Sequence, residues 1–304
     1  MVTIEEGTHL AGDVSLFTKT WKPDGIPKAK LIFVHGFNDH IDRYYELFPT
    51  LASRGIEVHG FDQRGWGRSV KTPKDRGHAG TTTQVLADLV SFIRVQLPST
   101  LPVFVMGHSM GGGEVLTLAS DPTYADLAPS IRGWLTESPF INFPSGQEPP
   151  WLKVILGKLA GRLLPKFQLP SALPAKNVTR DPEVIKSIEQ DELLHGYGTL
   201  EQLSHMLERT SLLGGGKTKL NPGVQSIWIS HGTVDLGTSC DASKKWFAEQ
   251  TLVKDKELKI YEGWSHQLHA DLPETRPVFA KDVGDWILAR CDQVGLRAAT
   301  ESKL

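Results

Sequence analysis

Three residues of this chain, Ser109, Asp235 and His266, have the types and the order needed for covalent acyl transfer. A serine hydroxyl is a poor nucleophile at neutral pH and needs a base to take its proton. The usual base is a histidine held in orientation by a buried carboxylate. Ser109 sits in Gly107-His108-Ser109-Met110-Gly111, a G-x-S-x-G run that is weak evidence on its own because glycine and serine are common. Its surroundings strengthen it. The strand-formers Val103–Met106 precede the run, and a helical stretch follows through Gly112 and Gly113 into Glu114–Ser120. A strand that turns at once into a helix forces the serine into a strained backbone conformation with its hydroxyl exposed. The residues two before and two after must be small so that strand and helix can cross.

The partners follow at the ends of later strands. Ser226–Ser230 reads as a strand running into His231-Gly232-Thr233-Val234-Asp235, and Leu258–Tyr261 as one running into Glu262-Gly263-Trp264-Ser265-His266. Ser, Asp and His then come in the chain order that strand–helix alternation of this type requires. Two competitors stand nearby. Asp241 reads as a cap of the following helix, and His269 is an alternative base three residues after His266. An acyl-transfer oxyanion needs two preorganised N–H donors. Met110, after the nucleophile, and Phe37, in the loop His35-Gly36-Phe37 after an early buried strand, are placed to supply them. His35 and His108 read as structural or substrate-lining.

The elements that must position these residues are short apolar strands alternating with helices: Leu31–Val34, Ile56–Phe61, Val103–Met106, Gly133–Thr136, Ser226–Ser230 and Leu258–Tyr261. Helices are expected over Arg43–Arg54, about Thr83–Leu97, Cys240–Gln250 and Pro277–Arg290, the last with Val278, Val283, Trp286 and Ile287 facing in. An N-terminal hairpin, Thr8–Leu10 with Val14–Trp21, precedes them. This alternation predicts an α/β fold, with a mostly parallel sheet covered on both faces. Residues 1–140 and 223–291 form the core in this reading, and 292–304 a polar tail.

Residues 141–222 break the rhythm: they are rich in proline and helix and hold no convincing strand, so they read as a helical cap over the carboxyl edge of the sheet. Within them Leu152, Ile155, Leu156, Leu159 and Leu163 form an apolar stripe with interspersed lysines. The stripe reads either as a lid helix lining an acyl pocket or touching a lipid surface, or as a helix simply packed on its neighbours.

The whole chain sets outer bounds. Its 304 residues are 39% hydrophobic and 22% charged with a net charge of −2, an ordinary globular composition that gives no reason to expect a nucleic-acid partner. Two cysteines, Cys240 and Cys291, fit a reducing compartment better than a disulfide framework. The acidic N-terminus lacks the features of a signal peptide, and no apolar run has transmembrane length. The C-terminal Ser302-Lys303-Leu304 has the form of a peroxisomal address read by an import receptor; without that route the expected location is cytoplasmic or at lipid droplets. The histidines do not recur at ligand spacing with carboxylates, so no metal is expected, and the chemistry needs no organic cofactor.

At these residues the chain resembles the α/β-hydrolases and, within them, the monoacylglycerol lipases. The likeness is close in residues 17–69, in GHSMGGGEVLTLA, in HGTVDLGTS and in KIYEGWSHQLHADLPE. The resemblance implies the α/β-hydrolase fold, a triad of Ser109, Asp235 and His266 rather than His269, and oxyanion donors at Phe37 and Met110. It also implies glycerol-end contacts from Arg43 and from the acidic position held by Asp39, where the family usually has glutamate. A cap tyrosine that contacts glycerol in some relatives falls at Ile188, and the cap stretch Asp191–Gly196 departs from the family's Asp-Pro-Leu. The implied activity is hydrolysis of a monoacylglycerol. The rival readings are an esterase acting on lysophospholipids or short soluble esters, an acyltransferase, and a non-catalytic binding protein of the same fold.

Overall fold

The computed structural model describes residues 1–148, 150, 157 and 159–291. Leu152, Ile155 and Leu156 of the cap stripe, the tail 292–304 and its terminal Ser302-Lys303-Leu304 lie outside the described residues.

Eight strands build one sheet. They are β1 (Thr3–Ala11), β2 (Val14–Lys22), β3 (Ala29–Val34), β4 (Ile56–Phe61), β5 (Val103–His108), β6 (Gly133–Glu137), β9 (Ser226–Gly232) and β10 (Asp255–Tyr261), in the order β1-β2-β4-β3-β5-β6-β9-β10. Only β2 runs against its neighbours; from β4 to β10 every pairing is parallel. Parallel strands need covering on both faces, and strand alternation supplies the two apolar faces. Ile32, Val34, Val105, Ile227 and Ile229 pack on one side with Leu86, Leu89 and Ile93 of α2 (Thr82–Arg94) and Val115 and Leu118 of α3 (Met110–Ser120). Leu31, Phe33, Phe104, Met106 and Trp228 pack on the other with Phe48 and Leu51 of α1 (Leu47–Ser53) and with Phe279, Val283 and Trp286 of α7 (Arg276–Leu288). Val278 of α7 is 46% exposed, so it does not join the inward face expected for it. The α/β-hydrolase architecture expected from the sequence is present.

The chain order crosses itself at β3. From β3 it moves outward to β4, then returns to the other side of β3 for β5. The carboxyl ends of β3 and β5 therefore flank a topological switch point, the place where open parallel sheets bind ligands. The loops His35-Gly36-Phe37 and Ser109-Met110 emerge there.

Three expectations need correction. The helix read over Arg43–Arg54 is a 3-10 turn, Ile41–Tyr44, followed by α1; Tyr45 at φ 41° breaks the run. Asp241 does not cap the helix Cys240–Glu249 (α6); the Ser239 side chain does, accepting from the Ala242 N–H. The described residues of the span 141–222 contribute nothing to the large sheet, but they do hold a two-stranded ladder, β7 (Gln168–Pro170) with β8 (Tyr197–Thr199). It also carries the helices α4 (Pro182–Gln190) and α5 (Leu200–Gly214).

Candidate active site

Ser109 links β5 to α3 at φ 53° and ψ −116°, a conformation that L side chains rarely adopt. The backbone around it fixes this turn. The Ser109 N–H donates to Glu137 O (2.9 Å), and Ser109 O accepts from the N–H groups of Gly113 (3.0 Å) and Phe140 (2.8 Å). The glycines are required by contact. A Cβ on Gly107 would lie 2.3 Å from Gly111 O, and one on Gly111 would lie 2.4 Å from the carbonyl oxygens of His35 and Val34. The loop after β3 rests on the serine itself: a Cβ on Gly36 would meet Ser109 Cβ at 3.3 Å. Met110 opens α3, so its N–H has no acceptor within the helix. It and the N–H of Phe37 belong to the residues that directly follow Ser109 and Gly36, the two residues in contact here.

Asp235 follows β9 and is buried. Its Oδ1 accepts from the N–H groups of Gly237 (2.7 Å) and Thr238 (2.9 Å). Its Oδ2 accepts from His266 Nδ1–H at 2.8 Å and from His231 Nε2–H at 2.9 Å, with Thr238 Oγ1 also at 2.9 Å. His231 is held in that tautomer because its Nδ1 accepts from Ser243 Oγ at 2.8 Å. These bonds and the positive imidazole field outweigh burial and hold the Asp235 carboxyl far below the usual carboxylate range. His231 and Thr238 were not singled out from the sequence, although both lie within four residues of Asp235.

With Nδ1 committed to Asp235, His266 has Nε2 left for proton transfer. Burial by itself lowers the basicity of this ring. The Asp235 charge and hydrogen bond, helped by Glu137 and Asp39, more than compensate, and its pKa is raised above 6.5. His269 is bound elsewhere: its Nδ1–H donates to Glu137 Oε1 at 2.7 Å. The choice between the two histidines thus falls on His266 as the partner of Asp235.

Ser109 and His266 line one cavity of about 70 Å³, together with Phe37, Asp39, Arg43 and His108. Leu173, Val178, Ile188 and Leu194 close it from the cap side. Leu159 does not line it and is 51% exposed; periodicity marked an apolar stripe without indicating what the stripe faces. Burial drives the His108 imidazole down to about 3, so it is neutral at physiological pH. Asp39 accepts from Tyr44 OH (2.7 Å) and from the His40 N–H (2.8 Å). Burial alone would raise its carboxyl, but the His35 and His108 imidazoles and the Arg43 guanidinium bring it to about 2. Arg43 Nη1 donates to Asp191 Oδ2 at 2.9 Å, and His40 Nε2–H donates to the same oxygen at 2.9 Å, which ties the cap to the core beside the cavity.

Among the described residues, His108, Glu137 and His269 are the one group whose potential ligand atoms fall within 4.8 Å of one another. The sequence spacing did not reveal it. Two N–H groups of His269 already occupy Glu137 Oε1, so the group is an internally hydrogen-bonded cluster rather than an open donor set.

The sequence profile of the family described as serine aminopeptidase, S33, matches residues 25–273. The chain belongs to the serine aminopeptidase S33 family of α/β-hydrolases. Within that family it is 34% identical over 276 residues to a Schizosaccharomyces pombe protein named "Putative monoglyceride lipase", covering 90% of this chain and 71% of that one. It is 27% identical to the monoacylglycerol lipase of Mycolicibacterium smegmatis, over 91% and 94% of the two chains. The fold matches that of a soluble variant of Saccharomyces cerevisiae monoglyceride lipase, solved with a substrate analog, at a TM-score of 0.83 and 22% identity over 96% and 97% of the chains.

Proposed function

We propose that this S33-family chain is a serine esterase that hydrolyses monoacylglycerols to glycerol and free fatty acid through an acyl-enzyme. The observation that carries the chemistry is the pairing of His266 Nδ1 with the buried Asp235 carboxylate, in a ring that shares its cavity with the strained Ser109. The substrate class is supported by the 34% identity to the S. pombe relative and by the acidic and cationic pair, Asp39 and Arg43, at one side of the cavity.

In this reading, His266 Nε2 takes the Ser109 proton as Oγ attacks the ester carbonyl. The Phe37 and Met110 amides hold the oxyanion. The imidazolium, stabilised by Asp235, returns its proton to the departing glycerol oxygen. Water activated by the same nitrogen then releases the fatty acid. Proton acceptance requires neutral His266, so kcat/KM falls as pH drops through its raised pKa. The acid limb is expected to have its midpoint above pH 6.5. A midpoint below 6.5 in a pH–rate profile contradicts the pairing with Asp235.

The cavity, about 70 Å³, is far smaller than the roughly 300–1,000 Å³ of a typical ligand pocket. A long acyl chain needs more room than this, and the cap segments bearing Leu173, Val178, Ile188 and Leu194 are the cavity walls whose displacement would supply it. Leu163, Leu164 and Phe167, at 82%, 58% and 54% exposure, give the cap an apolar outer surface suited to transient contact with a membrane or lipid droplet. The C-terminal Ser302-Lys303-Leu304 remains the proposed handle for an import receptor. The test of substrate class is a turnover panel of mono-, di- and triacylglycerols, a lysophospholipid and p-nitrophenyl esters. Monoacylglycerols are expected to be turned over best. Preference for diacylglycerols, for lysophospholipids or for short soluble esters overturns the specific reading and leaves the esterase chemistry in place.

A further inference from the structure

Glu137, the last residue of β6, is fully buried and has no part in the steps above. Its place in the sheet is beside the nucleophile strand, where it pairs in register with His108, next to Ser109. One carboxylate oxygen is saturated. Oε1 accepts from the His269 backbone N–H at 3.1 Å and from His269 Nδ1–H at 2.7 Å, across 132 positions of sequence. His269 lies three residues beyond His266, in the short 3-10 turn Leu268–Ala270, so these two bonds clamp the loop that presents His266. The other oxygen, Oε2, has no hydrogen-bond partner and lies 3.7 Å from His108 Nδ1, which also has none. The His108 ring packs against His266, with centroids 4.8 Å apart, and against His269 at 5.1 Å.

A buried ionised carboxylate with an unsatisfied oxygen is costly, and an apolar residue of similar volume generally serves stability as well or better. Glu137 is nevertheless ionised: although burial opposes its charge, the His269 and His108 rings and the two hydrogen bonds hold its pKa below the ordinary value. A side chain kept at such a cost, with its charge directed at the histidine loop, has a use beyond packing.

We propose that Glu137 is a positioning residue for the ester cleavage, anchoring the His266 loop through His269 and holding a fixed negative charge behind the His266 imidazole. This rests on the esterase reading given above. The anchor sets the ring's place in the cavity it shares with Ser109, while Asp235 sets its rotation and tautomer. The charge favours the imidazolium formed in the transition state. Asp235 is the first source of that preference, and Glu137 and Asp39 follow it. The other charged or titratable groups in the vicinity are His231 on Asp235, the His108 and His269 rings, Tyr44 in ring contact with His269, and Arg43 beside Asp39.

Glu137→Gln separates the two roles, because the amide oxygen can still accept from both N–H groups of His269 while the charge is gone. Glu137→Leu removes both. The readouts are the pH profile of kcat/KM and the NMR-monitored titration of the His266 imidazole, with Ser109→Ala as the inactive reference. In Glu137→Gln, the acid limb and the imidazole midpoint are expected to move to lower pH, with a fall in the high-pH kcat that is smaller than the fall in Glu137→Leu. In Glu137→Leu, kcat is expected to fall on the order of 10- to 100-fold with KM little changed, as for a misplaced catalytic group. Superimposable titrations of Glu137→Gln and the parent protein overturn the charge role. Undiminished kcat in a folded Glu137→Leu overturns the anchor. If Glu137→Leu does not fold, Glu137→Gln still decides. Failure of the parent protein to hydrolyse any ester is a failure of the esterase reading, and the imidazole titration still reports on Glu137.

Discussion

Ser109→Ala is expected to lower kcat for monoacylglycerol hydrolysis by on the order of 10⁵- to 10⁶-fold, the scale seen when a serine nucleophile is lost. The structure makes this a clean substitution. Ser109 is held in its turn by main-chain bonds to Glu137, Gly113 and Phe140, all of which alanine keeps. Both side chains meet the same steric demand at φ 53°, so the turn is retained. The variant should therefore unfold at the same temperature as the parent protein, while fatty-acid release in a pH-stat assay falls to background. A folded variant that retains more than a few per cent of the rate is incompatible with Ser109 as the nucleophile.

Asp235→Asn is expected to cost about 10⁴-fold in kcat, for a reason distinct from loss of the nucleophile. Asp235 Oδ2 receives N–H bonds from two imidazoles, His266 and His231, at 2.8 and 2.9 Å, while Oδ1 is fixed by the N–H groups of Gly237 and Thr238. An asparagine that keeps its oxygen on Gly237 and Thr238 turns its NH₂ toward the two rings. His266 Nδ1 must then accept, the ring proton moves to Nε2, and the nitrogen facing the serine can no longer act as a base. The substitution also removes the foremost influence raising the His266 pKa, so the residual activity should show its acid limb displaced to lower pH. Stopped-flow measurement of a chromogenic ester across pH 5–9 gives both numbers. A loss smaller than tenfold, or an unmoved limb, contradicts the assigned orientation.

The turn at Ser109 was legible in the sequence because its cause is local: strand-formers, a serine and flanking glycines whose missing side chains are demanded by contacts within a few ångströms. The order of Ser109, Asp235 and His266 was legible because each follows a strand, and parallel strands deliver their ends to one edge. Glu137 was not legible as a site residue. Its partner His269 lies 132 positions away, and only the neighbouring of β5 and β6 brings it behind the histidine loop. The same holds for His231, which reads as an ordinary strand-end histidine until its ring is seen on Asp235. In the cap, apolar spacing identified Leu159 as a candidate lining residue, but the cavity is closed by Leu173, Val178, Ile188 and Leu194, residues spread over loops and α4 without a helical period. Periodicity reports that a face is apolar; which partner covers it is a tertiary matter. The broken helix near Tyr45 shows the same limit at shorter range, since the apolar positions Tyr44, Leu47, Phe48 and Leu51 are all buried although the helix itself is interrupted.

In the proposed reaction the acyl group is transferred to the Oγ of Ser109, activated by His266. The most direct test is stoichiometric labelling with a long-chain alkyl fluorophosphonate, followed by peptide mass spectrometry and assay of the residual monoacylglycerol hydrolysis. One adduct per chain is expected, on the peptide containing Ser109, with hydrolysis lost in proportion to labelling and labelling strongly slowed in Asp235→Asn. An adduct on any other residue, or full hydrolysis in the labelled protein, contradicts it.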